Sequence, residues 1–341
     1  MYDLEPAPRP LIFGCAGPDL RDDERSLFAK ANPYGFILFD RNIENPEQVR
    51  LLVGELREAV GRRDVPVLVD QEGGRVARLR PPFWRTSPAA GRLGALIGDD
   101  VAKACNAIFL NSQIISYELS ELNISVDCMP VLDLAVAGGH EVIGDRAYGA
   151  VPARVADFGR AACSGLLSGG VLPVIKHIPG HGRATIDSHV SLPFVEAAWA
   201  DLLGADFAPF RALCDMPLAM TAHVVFTAID KDQPATTSPL VIRDVIRGEI
   251  GFEGLLMTDD ICMSALQGSP IERAERALAA GCDVVLHCNG KLKEMTEIAD
   301  GIDFMGELSR RRAIRAASLR GKQLSSEEFA DAKINLDSLL V

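Results

Sequence analysis

The sequence has no long hydrophobic segment, and its first residues do not have the pattern expected of a leader. Nowhere does it reach the ~18 consecutive apolar residues that a membrane-spanning helix needs. The first residues, MYDLEPAPRPLIFGCAG, lack the basic start and the continuous apolar stretch of a secretory signal. We therefore expect a cytoplasmic protein that does not act at a membrane.

Paired cysteine motifs are also missing. None of the eight cysteines belongs to a CxxC pair, and several lie in apolar runs. This pattern favours reduced, mostly buried thiols over disulfides or a metal cluster. We expect no metal and no cofactor.

Clusters of basic residues are absent, and the formal net charge is -12. Such a chain repels polyanions and offers no local patch to overcome that repulsion, so nucleic acid is a poor partner. A small anionic ligand stays possible, because a few cations inside a pocket outweigh a distant, screened surface charge. We expect a small molecule as the partner; the oligomeric state stays open.

Short apolar runs, by contrast, recur along the chain at intervals too long for hairpins. Each is a candidate strand, and helical periodicity fills most of the gaps at 46–62, 101–122, 155–167, 197–214, 238–250 and 271–280. The runs are LIFGCA (11–16), GFILF (35–39), VPVLVD (65–70), ISVDCMPVLDL (124–134), LPVIKH (172–177), PLAMTAHV (217–224), GLLMTDD (254–260) and DVVLHC (283–288).

Alternation of strand and helix predicts parallel pairing, and eight such units fit an α/β fold of the (β/α)8 TIM-barrel type. An open doubly wound sheet is the alternative, but no GxGxxG or P-loop fingerprint favours it. With 341 residues and no change of composition along the chain, we expect a single domain over 1–341. The part after about residue 290 is predicted to form closing helices.

Polar side chains with chemical potential stand at the ends of these runs. In a barrel the carboxyl ends of all strands meet at one mouth, where active sites of this fold lie. The predicted strands therefore bring a set of distant residues together: Asp70, Lys176, His177, His223, Asp259 and Asp260.

Three of the polar residues have plain structural alternatives. Asp70 opens DQEGGRVARL, where it could accept hydrogen bonds from sugar hydroxyls or simply cap the loop. Arg146, in VIGDRAYG, could reach inward to bind hydroxyls or face solvent. His223 is counted with the substrate-binding residues because of its strand end, although a satisfied core histidine would look the same in sequence.

The segment KHIPGHGRATIDSH (176–189) holds three of the six histidines in a stretch that glycine and proline keep from forming a helix. Histidine clusters often bind zinc, so a metal-dependent barrel hydrolase using His177, His181 and His189 is an alternative hypothesis. The spacing does not match the helical HExxH motif, which disfavours it.

Asp187 and His189 are separated by one residue, so the backbone alone can bring their side chains together. A carboxylate beside an imidazole favours the imidazolium form, which a general acid near neutral pH needs. The same imidazole could later take a proton from water. A surface Asp–His contact without a role is the alternative.

Asp259 follows the apolar run GLLMT and should be held by a rigid strand. A fixed carboxylate can attack an anomeric carbon and form a covalent intermediate, as retaining glycosidases do. Asp260 competes for this role. Because consecutive strand residues point to opposite sides, we expect one of the two to face the ligand and the other to cap the next helix.

Six motifs together resemble glycoside hydrolase family 3, and specifically its short cytoplasmic β-N-acetylglucosaminidases of peptidoglycan recycling. The resemblance runs from about residue 10 to 290. The motifs occur in the family's order: VDQEGGRV (69–76), PVLDLA (130–135), IGDRAYG (143–149), KHIPGHG (176–182) with DSH (187–189), MTAHV (220–224) and GFEGLLMTDD (251–260).

The resemblance implies that Asp259 is the nucleophile and that His189, paired with Asp187, is the acid/base. It implies a retaining exo-β-N-acetylglucosaminidase that releases terminal N-acetylglucosamine from muropeptides through a covalent glycosyl-enzyme. It also implies that a set of polar residues binds the N-acetylglucosamine: Asp70, Arg146, Lys176 and His177.

The chain departs from the family pattern at two points in this loop. Ile178 stands where KHFPGHG usually has an aromatic residue, and Arg183 with Ala184 changes the approach to DSH. Loop packing and leaving-group preference are what these changes affect. A non-catalytic amino-sugar-binding protein is a further alternative, and the choice between water and phosphate as acceptor stays open.

Overall fold

The computed structural model describes residues 4, 6–96 and 100–340, and within them eight parallel strands close into a barrel. Each strand pairs with its neighbour in chain order, and the last strand pairs with the first to complete the ring. The predicted TIM-type barrel is confirmed. Its strands are β1 (Arg9–Gly14), β2 (Pro33–Leu38), β3 (Val67–Val69), β4 (Val126–Asp127), β5 (Leu172–Ile178), β6 (Leu218–Thr221), β7 (Leu255–Asp260) and β8 (Val284–His287).

Alternating side chains of each strand build two separate apolar layers, which is why the runs carry no polar face. Ile12, Leu68 and Val174 point into the barrel interior. Their neighbours Leu11 and Val67 pack outward against the helices. Burial on both sides holds the strand ends rigidly and so fixes the side chains at the barrel mouth.

Helices occupy all six of the segments where periodicity predicts them, with ends shifted by a few residues. Two of the segments are partly or wholly π-helical, at Leu202–Asp206 and Val241–Glu249. The helix Asp22–Ala31, between β1 and β2, is not among the predicted segments. The α-helices are Asp22–Ala31, Pro46–Val60, Ala90–Leu96, Val101–Ser120, Pro152–Ser168, Trp199–Asp201, Ala208–Ala212, Pro270–Ala280, Leu292–Gly301, Glu307–Ser318 and Ser326–Leu340.

The fourth run does not form one long strand. Regular pairing covers only Val126–Asp127, and a single further bridge joins Val131 to Lys176. Pro130 lies between them and has no N–H to give to a ladder. The backbone still follows β5, because the Leu132 N–H donates to the Lys176 carbonyl at 2.7 Å.

One of the helices after residue 290, Glu307–Ser318, closes the barrel at its amino-terminal end. Ala313 and Ala316 of helix Glu307–Ser318 join the interior apolar layer from below. Helix Ser326–Leu340 packs along Val101–Ser120, where the Phe329 ring stacks on Tyr117 with 4.2 Å between centroids. The functional groups at the strands' carboxyl ends lie at the opposite mouth.

All eight cysteines are free thiols, five of them buried, as the missing CxxC pairs predict. In residues 4, 6–96 and 100–340, we find no helix with both the length and the apolar character to cross a bilayer.

Candidate active site

A cavity of about 250 Å³ opens at the carboxyl-terminal mouth of the barrel. It is near the lower end of ordinary ligand pockets, which suits one sugar ring better than a long chain. Residues from widely separated parts of the sequence line it, among them Asp70, Glu72, Arg146, Lys176, His189 and Asp259. The strands therefore do converge as the sequence analysis predicts.

Lys176 is the centre of a buried ion network on one wall of this cavity. Its side chain is 2% exposed, and its Nζ lies 3.0 Å from Asp70 Oδ1 and 2.7 Å from Glu72 Oε1. Arg146 donates two hydrogen bonds of 2.8 Å to the Glu72 carboxylate, from Nε and Nη2. Arg78 Nη2 donates to the other oxygen of Asp70 at 3.0 Å.

The two carboxylates of this network and Lys176 stay charged at neutral pH. Burial by itself would raise the pKa of Glu72, but Arg146 and Lys176 outweigh it and lower the pKa to about 2. Burial also opposes ionisation of Asp70, yet Lys176 and Arg78 hold its pKa below the ordinary value. The pKa of Lys176 is raised in turn, because the two carboxylates outweigh its desolvation. The network is a fixed array of donors and acceptors for hydroxyl groups.

His177 lines the cavity beside Lys176 and is oriented from behind. Its Nδ1 lies 2.6 Å from Asp133 Oδ2, and Asp133 is fully buried. Burial opposes ionisation of Asp133, but His177 and the N–H of His181 lower its pKa below the usual range. An ionised Asp133 accepts a hydrogen bond from the Nδ1–H of His177 and thereby fixes the orientation of the His177 ring.

Asp259 is the next-to-last residue of strand β7 and lines the cavity, and one of its oxygens accepts the Asp260 N–H at 2.8 Å. Burial raises the pKa of Asp259, but the nearby His177 and His223 and the Asp260 N–H outweigh it, so the pKa lies below its ordinary value. An ionised carboxylate on a rigid strand can act as a nucleophile.

Asp260 also borders the cavity, so the expectation that only one of the pair would face it is wrong. Its Oδ1 accepts the N–H groups of Cys262 and Cys288, at 3.0 and 3.1 Å. The expected helix cap is Ser269 instead, three residues before Glu272. Asp260 therefore ties the loop after β7 to the end of β8.

His223 does not line the cavity, which corrects its assignment to the substrate-binding residues. The ring is fully buried, and its two nitrogens lie 2.7 Å from Thr236 Oγ1 and 3.0 Å from the Asp260 carbonyl. Because a carbonyl oxygen can only accept, the Nε2–H of His223 donates a hydrogen bond to it. His223 thereby positions the backbone beside Asp259. The core-histidine alternative describes its contacts better.

Asp187 and His189 form the predicted pair on the long loop after β5. Oδ1 of Asp187 accepts both the backbone N–H of His189, at 2.9 Å, and a bond from its Nδ1, at 2.8 Å. Burial opposes ionisation of Asp187, but His189 outweighs it and lowers the Asp187 pKa. The His189 side chain is 64% exposed at the rim of the cavity that contains Asp259.

The departures from the family pattern are accommodated by packing. Ile178 and Ala184 are buried in the outer apolar layer. Arg183 donates from Nε to Asp206 Oδ2 at 2.7 Å and so anchors the loop to the π-helical segment. Gly182 is required, because a Cβ there would lie 2.1 Å from the Leu134 carbonyl oxygen.

In the part of the chain that the structure describes, the ring nitrogens of the three loop histidines do not come within ligand spacing of one another. His177 bonds Asp133, His181 lies 3.3 Å from Ser188 Oγ, and His189 bonds Asp187. Within the described ranges the one group with ligand spacing is Cys262, His287 and Glu294. Its carboxylate is already bonded by His287, Asn289 and Lys291.

Sequence reasoning missed three residues of the site: Glu72, Arg78 and Asp133. Glu72 and Arg78 stand in the glycine-containing segment after β3, two and eight residues beyond Asp70. Alternation along that segment could have suggested that Glu72 shares a side with Asp70. Nothing local marks Asp133, whose partner His177 lies 44 residues further along the chain.

An ionised carboxylate, an Asp–His pair and a buried ion network at the mouth of a parallel barrel are the groups that a glycoside hydrolase needs. The chain belongs to glycosyl hydrolase family 3: the model of that family's N terminal domain matches residues 12–319.

Similar proteins include two beta-hexosaminidases and a solved structure of NagZ. A beta-hexosaminidase of Alkalilimnicola ehrlichii is 42% identical over 284 residues, which are 82% of this chain and 80% of that protein. One from Nitrosospira multiformis is 35% identical over 92% of this chain and 89% of its own length. The structure of NagZ from Neisseria gonorrhoeae with N-trifluoroacetyl-D-glucosamine aligns with a TM-score of 0.87 and 31% identity, over 98% of this chain and 99% of that one.

Proposed function

We propose that this single-domain chain is a retaining exo-β-N-acetylglucosaminidase that removes terminal N-acetylglucosamine from peptidoglycan-derived muropeptides. The observation that carries the proposal is the meeting of Asp259 and the Asp187–His189 pair around one small cavity. The relatives support this choice of sugar, since two of them are beta-hexosaminidases and the similar NagZ structure contains N-trifluoroacetyl-D-glucosamine.

In the first step a carboxylate oxygen of Asp259 attacks the anomeric carbon. The bond to the leaving oxygen breaks, and that oxygen takes a proton from His189, whose positive charge Asp187 stabilises. The product is a covalent glycosyl-enzyme. In the second step water gives a proton to His189 and adds its oxygen to the anomeric carbon, which frees Asp259 and releases the sugar with its configuration retained.

The buried network would hold the terminal sugar during both steps. Asp70 accepts hydrogen bonds from ring hydroxyls, while Lys176 and Arg146 donate them. His177, oriented by Asp133, adds another polar contact. Because the cavity has room for about one ring, a terminal residue fits and an internal one does not.

The exposed position of His189 suits a large leaving group. Its side chain stands at the cavity rim on a loop, so the rest of the substrate would extend past it into solvent. A muropeptide is such a substrate. A chitin fragment would fit the same rim, so relative kcat/KM must decide between them.

The test uses the purified chain with an aryl β-N-acetylglucosaminide, followed by proton NMR in the first minutes of reaction. The β anomer of N-acetylglucosamine should appear before mutarotation; first appearance of the α anomer would contradict retention. A second assay should give a higher kcat/KM for an N-acetylglucosaminyl-anhydromuramyl peptide than for chitobiose. The reverse order would contradict the muropeptide assignment.

A further inference from the structure

Asp127 lies behind the end of strand β3, and the mechanism above gives it no part. It is the last residue of β4 and pairs in register with Val69, the residue before Asp70. Its side chain is fully buried. One oxygen, Oδ1, accepts the backbone N–H of Gln71 at 2.9 Å, while Oδ2 has no hydrogen-bond partner in the part of the chain that the structure describes.

Gln71 is the residue that holds the sugar-binding segment together. Its side-chain oxygen accepts the N–H groups of Arg78 and Leu79, both at 2.9 Å, and its amide nitrogen donates to the Leu79 carbonyl at 3.0 Å. The side chain thereby ties the start of the segment after Asp70 to Arg78 and Leu79 at its end. The bond from Asp127 fixes the backbone of Gln71, the hub of these contacts.

We propose that Asp127 is a positioning residue: it holds the Gln71 backbone so that the polar side chains of segment 70–79 keep the geometry that a bound sugar needs. This inference rests on the proposed function, because it takes segment 70–79 to be part of a sugar site. Asp127 touches neither the cavity nor the reacting atoms and acts only through Gln71.

The charge state of Asp127 follows from its surroundings. Burial raises its pKa to about 8; the Gln71 N–H and Lys176 act against burial, while Asp70 and Glu72 add to it. The raised value means that the folded protein keeps the Asp127 proton at pH 7 and loses it as the pH rises through about 8.

The other groups near Asp127 do not supply a compensating charge. Cys128, the next residue, has a pKa raised well above its ordinary value by burial. Tyr148 likewise has a raised pKa, first because of burial. Lys176 faces Asp127 from β5, but its ammonium group already bonds Asp70 and Glu72.

Ionisation of Asp127 would therefore place a further buried anion beside two existing carboxylates. A buried charge without its own partner is costly, and the least disruptive response is a shift of the hydrogen-bonded segment toward other donors. The affinity for a sugar should fall at alkaline pH for this reason. Asparagine at position 127 keeps an oxygen for the Gln71 N–H and cannot ionise.

The test measures binding of N-trifluoroacetyl-D-glucosamine by fluorine NMR between pH 6 and 9, without turnover. If only the protonated form binds, one group with a pKa near 8 raises the wild-type Kd about tenfold between pH 7 and 9. D127N should bind like wild type at pH 7 and change less than twofold over that range. D127A, which lacks the acceptor, should bind about tenfold more weakly at pH 7.

Asp300→Asn is the matched control, because Asp300 is an exposed carboxylate that pairs with Lys30. This variant should reproduce the wild-type pH dependence. D127N retaining the full wild-type dependence on pH would overturn the inference, even if D127A did not fold. Wild-type protein that failed to bind the probe at pH 7 would contradict the proposed function itself, and the inference with it.

Discussion

The ion network around Lys176 and the Asp187–His189 pair lie on the same cavity but are built in opposite ways. The network centres on Lys176 of strand β5 and is nearly all buried, and each carboxylate in it has two cationic partners. The pair lies on a loop. The His189 side chain is 64% exposed, and its Nδ1 bonds Asp187.

The difference separates two tasks within one site. A buried array of paired charges cannot rearrange cheaply, so it is suited to holding a sugar in one orientation. A half-exposed imidazole can move, exchange protons with solvent and serve leaving groups of different shape. We therefore expect changes in the network to affect binding and stability, and changes in the pair to affect turnover alone.

Replacement of Asp259 should have the largest effect. Asp259→Ala removes the proposed nucleophile, and kcat should fall on the order of 10⁴-fold or more with little change in Kd. Asp260→Asn is the control, since an amide oxygen can still accept the Cys262 and Cys288 N–H groups. The nucleophile assignment is wrong if Asp260→Asn is the inactive variant in an aryl glycoside assay.

His189→Ala should reduce kcat by about 10²–10⁴-fold, because it removes general acid/base catalysis. The free energy of unfolding should stay within about 0.5 kcal/mol of wild type, as for other exposed sites. The loss should be smaller for an aryl leaving group of low pKa, and added azide should restore part of the rate. If the loss were equal for every leaving group, His189 would not be the residue that protonates the departing oxygen.

Lys176→Met should destabilise the protein as well as weaken sugar binding. It leaves two buried carboxylates short of a partner, which costs about 3 kcal/mol in urea unfolding, the low end for a broken buried pair because the arginines remain. Lys30→Met, which breaks the exposed pair with Asp300, should cost less than about 0.5 kcal/mol. Similar costs for the two variants would remove the distinction between the buried network and a surface pair.

Glu72→Gln should show its cost mainly above acid pH. The folded pKa of about 2 lies below the ordinary glutamate value of 4.5, so ionised Glu72 stabilises the fold above about pH 4.5. That contribution disappears as the pH falls toward 2. Unfolding of wild type and variant should therefore differ by a few kcal/mol at pH 7, and the difference should shrink between pH 4.5 and 2 and be gone below about pH 2. A difference independent of pH would mean that the Arg146 pair is not its source.

Removal of metal should have no effect at all. Among the described residues, the three loop histidines do not bring their ring nitrogens within ligand spacing of one another, so EDTA treatment should leave kcat/KM unchanged. Loss of activity that zinc restores would revive the metal-dependent alternative.

The barrel can be predicted from the sequence because the pattern that indicates each strand is local. Eight apolar runs, each long enough for one strand, indicate where the chain is buried on both faces, and all eight became barrel strands. The fourth run shows the limit: its length suggested a strand over 124–134, but Pro130 interrupts the ladder after Asp127. The helix Asp22–Ala31 was not named although its acidic first turn is a start signal.

The site was predictable only where a strand end exposes a side chain to the mouth. Asp70, Lys176 and Asp259 have that position, and they line the cavity. His223 has it too, yet its ring turns away to Thr236. Which of two neighbouring residues faces the cavity depends on backbone twist and on partners distant in the chain, and no local pattern records those.

The central claim is that Asp259 forms a covalent bond with the sugar while His189 serves the leaving group. The most direct measurement is mass spectrometry of the enzyme after inactivation by a 5-fluoro N-acetylglucosaminyl fluoride, with peptide mapping of the adduct. We predict one added sugar on the peptide that contains Asp259, and none in Asp259→Ala. A sugar found on another carboxylate, or turnover with inversion and no adduct, would contradict the account.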